Sequence, residues 1–135
     1  MVFYRLNTQP AEFAVRYNTI LFDADGTLLD FLRTEQEALR RAFAAFQLPF
    51  DEGINERYQR VNRALWESFE RGEMEKDEVV HTRFRLLFQE LAVEIDPIAF
   101  ETAYQAMLGE GFYLIEGAKA LCEKISEDAR LYLVT

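Results

Sequence analysis

Cysteine is nearly absent from this 135-residue chain: Cys122 stands alone, so no internal disulfide can form and a reducing compartment is the simpler expectation. Cys122 itself reads as a small core residue. Long apolar runs are missing too, and nothing approaches the roughly 18 residues that a membrane span needs. The first residues alternate polar and apolar types without the uninterrupted apolar region of a signal peptide, so a cytoplasmic location is expected. Basic residues are scarce beside acidic ones, 15 against 24, for a formal net charge of −9. That balance opposes sequence-independent attraction to a phosphate backbone, and no nucleic-acid partner is expected. A small phosphorylated ligand stays open, because a divalent cation and a few backbone N–H groups reverse the field within one pocket. Histidine occurs once, and His81 reads as a surface or packing residue rather than a catalyst.

What is present is apolar patterning, with hydrophobic residues making up 50% of the chain, enough for a packed core in a chain of this length. Residues 1–18 show only a loose strand-and-turn pattern and carry no assigned role. Ile20 to Phe22 form a short continuous apolar run, which predicts a strand buried on both faces that ends at Asp23. From Thr34 the period changes to that of a helix, with Leu39, Ala42, Phe43 and Phe46 on one side and Thr34-x-x-Glu37 as a capping box. Pro49 closes it. A second helix carries Ile54, Tyr58, Val61, Leu65 and Phe69 and stops at Gly72; a third carries Val80, Phe84, Leu87, Phe88 and Leu91. Asp96 and Pro97 start a fourth with Phe100, Tyr104, Met107 and Leu108, ending near Gly109. A fifth amphipathic segment runs over Leu114, Ile115, Ala118, Leu121, Cys122 and Ile125, and the apolar run Leu131 to Val134 predicts a second strand. A strand, a helical excursion, one more helix and a strand describe a parallel crossover with a helical insertion. The fold class expected is α/β, with boundaries near Phe31 to Thr34 and Gly109 to Phe112.

The chemistry concentrates in Asp23-Ala24-Asp25-Gly26-Thr27. In a parallel sheet the functional crevice lies beyond the carboxyl ends of the strands, where Asp23 leaves this one. Alternation turns Ala24 away and brings Asp25 back to the same side. Two carboxylates so placed can divide the work of phosphate-ester hydrolysis, one attacking phosphorus while the other moves the proton. A Mg²⁺ ion would offset the repulsion between anionic nucleophile and anionic phosphate. Gly26 permits a sharp turn close to phosphate, and Thr27 offers a hydroxyl. The same Asp25-Gly26 also fits the turn of a β-hairpin joining Ile20–Phe22 to Thr27–Phe31. A calcium-binding EF-hand is a poorer fit: the twelfth position counted from Asp23 holds Thr34 where that loop needs Glu.

The string Asp23-Ala24-Asp25-Gly26-Thr27-Leu28-Leu29-Asp30 after an apolar strand resembles the first signature motif of the haloacid dehalogenase superfamily, whose phosphatases carry Asp-x-Asp-Gly-Thr. The resemblance implies that Asp23 is the nucleophile, Asp25 the general acid/base, and that Mg²⁺ is held by the Asp23 carboxylate and the Asp25 backbone carbonyl. An acid at position 25 favours phosphate esters over haloacids or phosphonates. The family's second motif, a strand ending in Thr or Ser that binds the phosphoryl group, is matched by Leu131 to Thr135, so Thr135 joins Gly26 as an expected phosphate-binding residue. The fold implied is part of a Rossmann-like parallel-sheet core (residues 1–32 and 113–135) with an inserted helical cap (33–112).

Within that insertion, Asn62-Arg63-Ala64-Leu65-Trp66, Gly72 and His81-Thr82-Arg83-Phe84 resemble the pyrimidine 5′-nucleotidase-like branch. A nucleoside monophosphate would then stack on Trp66 and be read by Asn62. The spacing of Trp66 fits a core position better than a base platform. Arg83 reads as the partner of an acidic neighbour, and the acidic run from Glu67 to Glu78 as a solvated helix face. The family's third and fourth motifs, a Lys and further acids, have no counterpart here, since Lys119 and Lys124 precede the second strand. The chain is therefore expected to be the N-terminal part of a longer, Mg²⁺-dependent phosphatase and inactive alone. The alternatives are a sugar-phosphate or phosphoglycolate phosphatase, and a noncatalytic fragment that self-associates through an exposed sheet edge.

Overall fold

The computed structural model describes residues 17–134; the loose pattern of the first residues and Thr135, with its expected phosphate role, lie outside them. The order is β1 (Thr19–Asp23), α1 (Phe31–Ala45), α2 (Glu52–Glu70), α3 (Lys76–Leu91), α4 (Pro97–Gly109), α5 (Ala118–Ser126) and β2 (Arg130–Val134). The strands pair in parallel, Thr19 opposite Arg130 and Asp23 opposite Val134, so the helical excursion returns the chain beside its starting strand. The fold is α/β, and the Asp25-Gly26 hairpin is not formed, because Phe31 onward is helical and β1 pairs only with β2 among the described residues.

Burial in β1 corrects one expectation. Ile20 and Phe22 are half-buried, but Leu21 is 65% exposed, and on β2 Leu133 is 56% exposed. The apolar run reflects strands suited to cover on both faces, yet α5 on β2 is the chief helix contact of this two-stranded sheet.

Helix starts follow the capping residues, with one shift. Asp51 and Asp96 accept from the N–H groups of Ile54 and Ile98, both at 2.9 Å, and Pro97 occupies the first turn of α4. For α1 the cap is Asp30, whose Oδ1 accepts from the Arg33 N–H at 3.1 Å, rather than Thr34. Thr34 lies one turn inside and donates its hydroxyl to the Asp30 carbonyl at 3.0 Å, while Glu37 binds Arg40 instead of the helix end. Asp30 also donates its own N–H to the Tyr113 carbonyl at 2.9 Å, which pins the earlier start. The fifth helix starts later than its periodicity suggests. Leu114 pairs with Leu29 in an antiparallel bridge and the Ile115 N–H donates to the Leu28 carbonyl at 2.9 Å, so both residues belong to an extended strap.

The core lies among α1–α4, where α2 packs on α3 and α4 packs on α1 and α3. Ala38, Leu39, Ala42 and Phe43 of α1 meet Tyr58, Phe84, Leu87, Phe88, Phe100 and Tyr104. The α3 stripe runs through Val79 rather than Val80, which is only half-buried. Phe84 is at the centre, with ring centroids 4.6 Å from Phe100, 5.2 Å from Tyr104 and 5.5 Å from Tyr58. Each such pair adds roughly 0.5–1.5 kcal/mol beyond its buried area. The two chain segments joining this unit to the sheet, 28–30 and 113–115, are hydrogen-bonded to each other, which places the helical unit directly beside the loop after β1.

Candidate active site

At the end of β1 the chain makes a tight loop around one carbonyl. Ala24 is buried, and its oxygen accepts from the N–H groups of Leu28 at 3.0 Å, Leu29 at 2.9 Å and Thr27 at 3.4 Å. Gly26 adopts φ +76°, and its N–H donates to the Leu29 carbonyl at 2.9 Å. A Cβ there would meet nothing within 4 Å, so the backbone angle, rather than space, is what calls for glycine. With Ala24 turned inward, Asp23 and Asp25 both stand exposed on either side of it. The Thr27 hydroxyl donates to Asp23 Oδ2 at 2.9 Å, orienting that carboxylate. The Asp25 carbonyl accepts no backbone hydrogen bond among the described residues, because the bridge to Leu29 uses the atoms of its neighbours.

A carboxylate and a carbonyl with an uncommitted oxygen are hard donors, suited to Mg²⁺, which keeps several waters. Among the described residues no group of three or more His, Cys, Asp or Glu side chains is placed to hold a metal ion. Nor does Asp23 or Asp25 have an ion-pair partner among them.

The residues of α2 expected to meet substrate have partners of their own. Asn62 Oδ1 accepts from Arg83 Nη1 at 3.4 Å, and Trp66 packs edge-to-face on Phe69 with centroids 5.6 Å apart. Neither touches the 23–29 loop through a bond or ring contact. Arg83, as expected, serves an acid: its guanidinium binds both carboxylate oxygens of Glu101, in a pair almost wholly removed from solvent. Burial, the largest single influence, acts to lower the Arg83 pKa, and the Glu101 hydrogen bonds together with the electrostatic attraction of Tyr58, Glu101 and Tyr104 raise it overall. Beside this pair Glu35 accepts from the hydroxyls of Tyr58 at 3.1 Å and Tyr104 at 3.3 Å and from Gln59 at 2.7 Å. Sequence reading placed the two tyrosines on apolar stripes and overlooked Glu35 altogether. Its signal was a carboxylate at a position one turn from Leu39 on the buried side of α1.

No family model matches the chain. YfnB of Bacillus subtilis (strain 168), named as a HAD-hydrolase, is 42% identical over 120 residues, which is 89% of this chain and 51% of that protein. Its crystal structure, described as bound to magnesium and as revealing interdomain movement, superposes with a TM-score of 0.85 over 89% of this chain and 53% of that one. The pyrimidine 5′-nucleotidase PynA of Streptococcus pneumoniae is 33% identical over 120 residues, 88% of this chain and 51% of that protein. This chain belongs to the haloacid dehalogenase superfamily. A third member, the pyrimidine 5′-nucleotidase YjjG of Escherichia coli, is 28% identical over 121 residues, 90% of this chain and 52% of that protein. The chain thus spans about half the length of the curated relatives it matches. Superfamily membership agrees with the strand–loop arrangement of Asp23 and Asp25, and no helix among the described residues is long and apolar enough to cross a membrane.

Proposed function

We propose that the full-length protein is a Mg²⁺-dependent phosphomonoesterase acting on nucleoside monophosphates, with α1–α4 (about residues 33–112) as a cap over a core that includes residues 1–32 and 113–135. The observation that carries this reading is the pair of exposed carboxylates around a buried Ala24 at the carboxyl end of β1, with Thr27 bonded to Asp23. The two pyrimidine 5′-nucleotidases among the relatives support the choice of substrate, and the magnesium of the YfnB structure supports the metal.

Asp23 attacks phosphorus, and the bond to the leaving oxygen breaks as Asp25 delivers a proton to it, giving an aspartyl-phosphate and a free nucleoside. Asp25, now a carboxylate, takes a proton from water, whose oxygen attacks the same phosphorus; phosphate departs and Asp23 is regenerated. Bound Mg²⁺, held by the Asp23 carboxylate and the Asp25 carbonyl, supplies positive charge that lets one anion approach another. Gly26, its N–H held by the Leu29 carbonyl, lets the backbone come close to the phosphoryl group, and Thr135 donates to a phosphoryl oxygen.

The test is phosphate release from a panel of nucleoside monophosphates, sugar phosphates and phosphoglycolate by full-length protein. Asp23→Asn should lower release by about a thousandfold or more, and chelation of Mg²⁺ should abolish it reversibly. Undiminished release by Asp23→Asn would remove the mechanism; a preference for sugar phosphates or phosphoglycolate would remove only the substrate.

A further inference from the structure

Arg33 makes no ion pair among the described residues. Its guanidinium lies over the Tyr113 ring instead, 4.1 Å from the centroid. That contact uses the flat face of the guanidinium and leaves its in-plane N–H donors for an acceptor. On the same strap, Phe112 runs nearly parallel to Tyr113, with centroids 5.9 Å apart and planes 20° apart. Phe112 is 82% exposed, and the stack on Tyr113 is its ring contact among the described residues.

These three groups are tied to the catalytic loop by backbone bonds. Tyr113 accepts from the Asp30 N–H at 2.9 Å, Ile115 donates to Leu28 at 2.9 Å, and Asp30 caps the turn that carries Arg33. Beside Arg33 and Tyr113 a cleft of about 420 Å³ opens, walled by Gln36, Glu37, Arg40, Phe50, Asp51 and Glu52, with Phe112 outside its lining. Trp66 packs on Phe69 and Asn62 bonds Arg83, and neither makes a bond or ring contact to the 23–29 loop.

We propose that Phe112, Tyr113 and Arg33 form the surface that receives the nucleoside of the substrate. The base stacks on the exposed Phe112 ring, and Arg33, held flat by Tyr113, donates to a carbonyl oxygen on the base. This proposal rests on the nucleotidase reading and names the residues that would set its specificity. A stacked base is sequence-tolerant because every base has a π face, whereas an Arg donor favours bases rich in carbonyl oxygens, such as uracil and thymine.

The experiment compares uridine 5′-monophosphate with acetyl phosphate, which has no ring, as substrates of the full-length protein and of Phe112→Ala and Arg33→Ala. Each variant should lose about tenfold in kcat/KM on the nucleotide, mainly through KM, and stay within about twofold on acetyl phosphate. Equal losses on both substrates would show that the residues merely shape the loop, and unchanged nucleotide kinetics would put the base elsewhere; either result overturns the proposal. Failure of the wild-type protein to hydrolyse any nucleoside monophosphate, with acetyl phosphate still turned over, would sink the nucleotidase reading first and this surface with it.

Discussion

Asp23 depends on a neighbour four residues away. Its carboxylate is solvent-exposed, and among the described residues the Thr27 hydroxyl, at 2.9 Å, is what restrains it; in the proposed mechanism that bond decides which oxygen faces the phosphate. A hydrogen bond to a charged group is worth about 1.5 kcal/mol, so Thr27→Val should lower kcat of the full-length enzyme by about tenfold. Steady-state kinetics alongside a melting curve would check this, since the melting temperature should scarcely move. Gly111 is the other residue with a sharply defined tolerance. A Cβ there would sit 2.0 Å from Thr34 Cγ2 and 3.2 Å from the Leu108 carbonyl oxygen, so the second strap crosses α1 at van der Waals limits. Gly111→Ala should destabilise the chain by about 1–3 kcal/mol, as overpacking does. Adding Thr34→Ser, which deletes Cγ2, should recover part of that loss in urea titrations.

At the level of elements, α1 is both the exit from the 23–29 loop and a wall of the aromatic core. Its cap, Asp30, binds the strap, and five residues further Glu35 binds α2 and α4 through Tyr58 and Tyr104. The Arg83–Glu101 pair joins α3 to α4 in the same buried layer. Breaking it from one side strands a charge: Glu101→Leu should cost about 3–5 kcal/mol, whereas Arg83→Met with Glu101→Leu should recover most of it. Denaturant unfolding of the single and double variants distinguishes a stranded charge from lost packing, since packing loss would be additive. Thr34-x-x-Glu37 satisfied the capping-box pattern and still lay inside the helix, because a sequence pattern does not show that Asp30 was already fixed by Tyr113.

For the molecule as a whole, the charged layer inside the helical unit makes stability depend on alkaline pH. Burial raises the Tyr58 and Tyr104 phenols above their ordinary value of 10.0. The folded chain keeps protons that the unfolded chain releases, so this contribution is complete below pH 10.0 and is lost as pH rises toward the folded values. The melting temperature should therefore fall as pH climbs past about 10, and Tyr58→Phe should flatten that slope. The sheet behaves differently: Leu21, Tyr132, Leu133 and Val134 are all at least half exposed here, so its apolar surface contributes little of the burial that the helical unit supplies.

Strand β1, most of the helix stripes and the Asp23–Asp25 loop were legible because each depends on neighbours within a few residues: alternation, a 3.6-residue period, an Asp cap, a glycine at positive φ. Those forces act locally, and a sequence displays them directly. Glu35 and Tyr104 are 69 residues apart, and nothing in either segment announces that they share a proton-bonded layer. The pairing of Arg33 with Tyr113, the start of α1 at Phe31 and the engagement of Asn62 by Arg83 are of the same kind. The Glu35–Tyr104 and Asn62–Arg83 contacts were decided by packing four helices around one aromatic core, and the other two by the 113–115 strap, both of which bring distant side chains within bonding range.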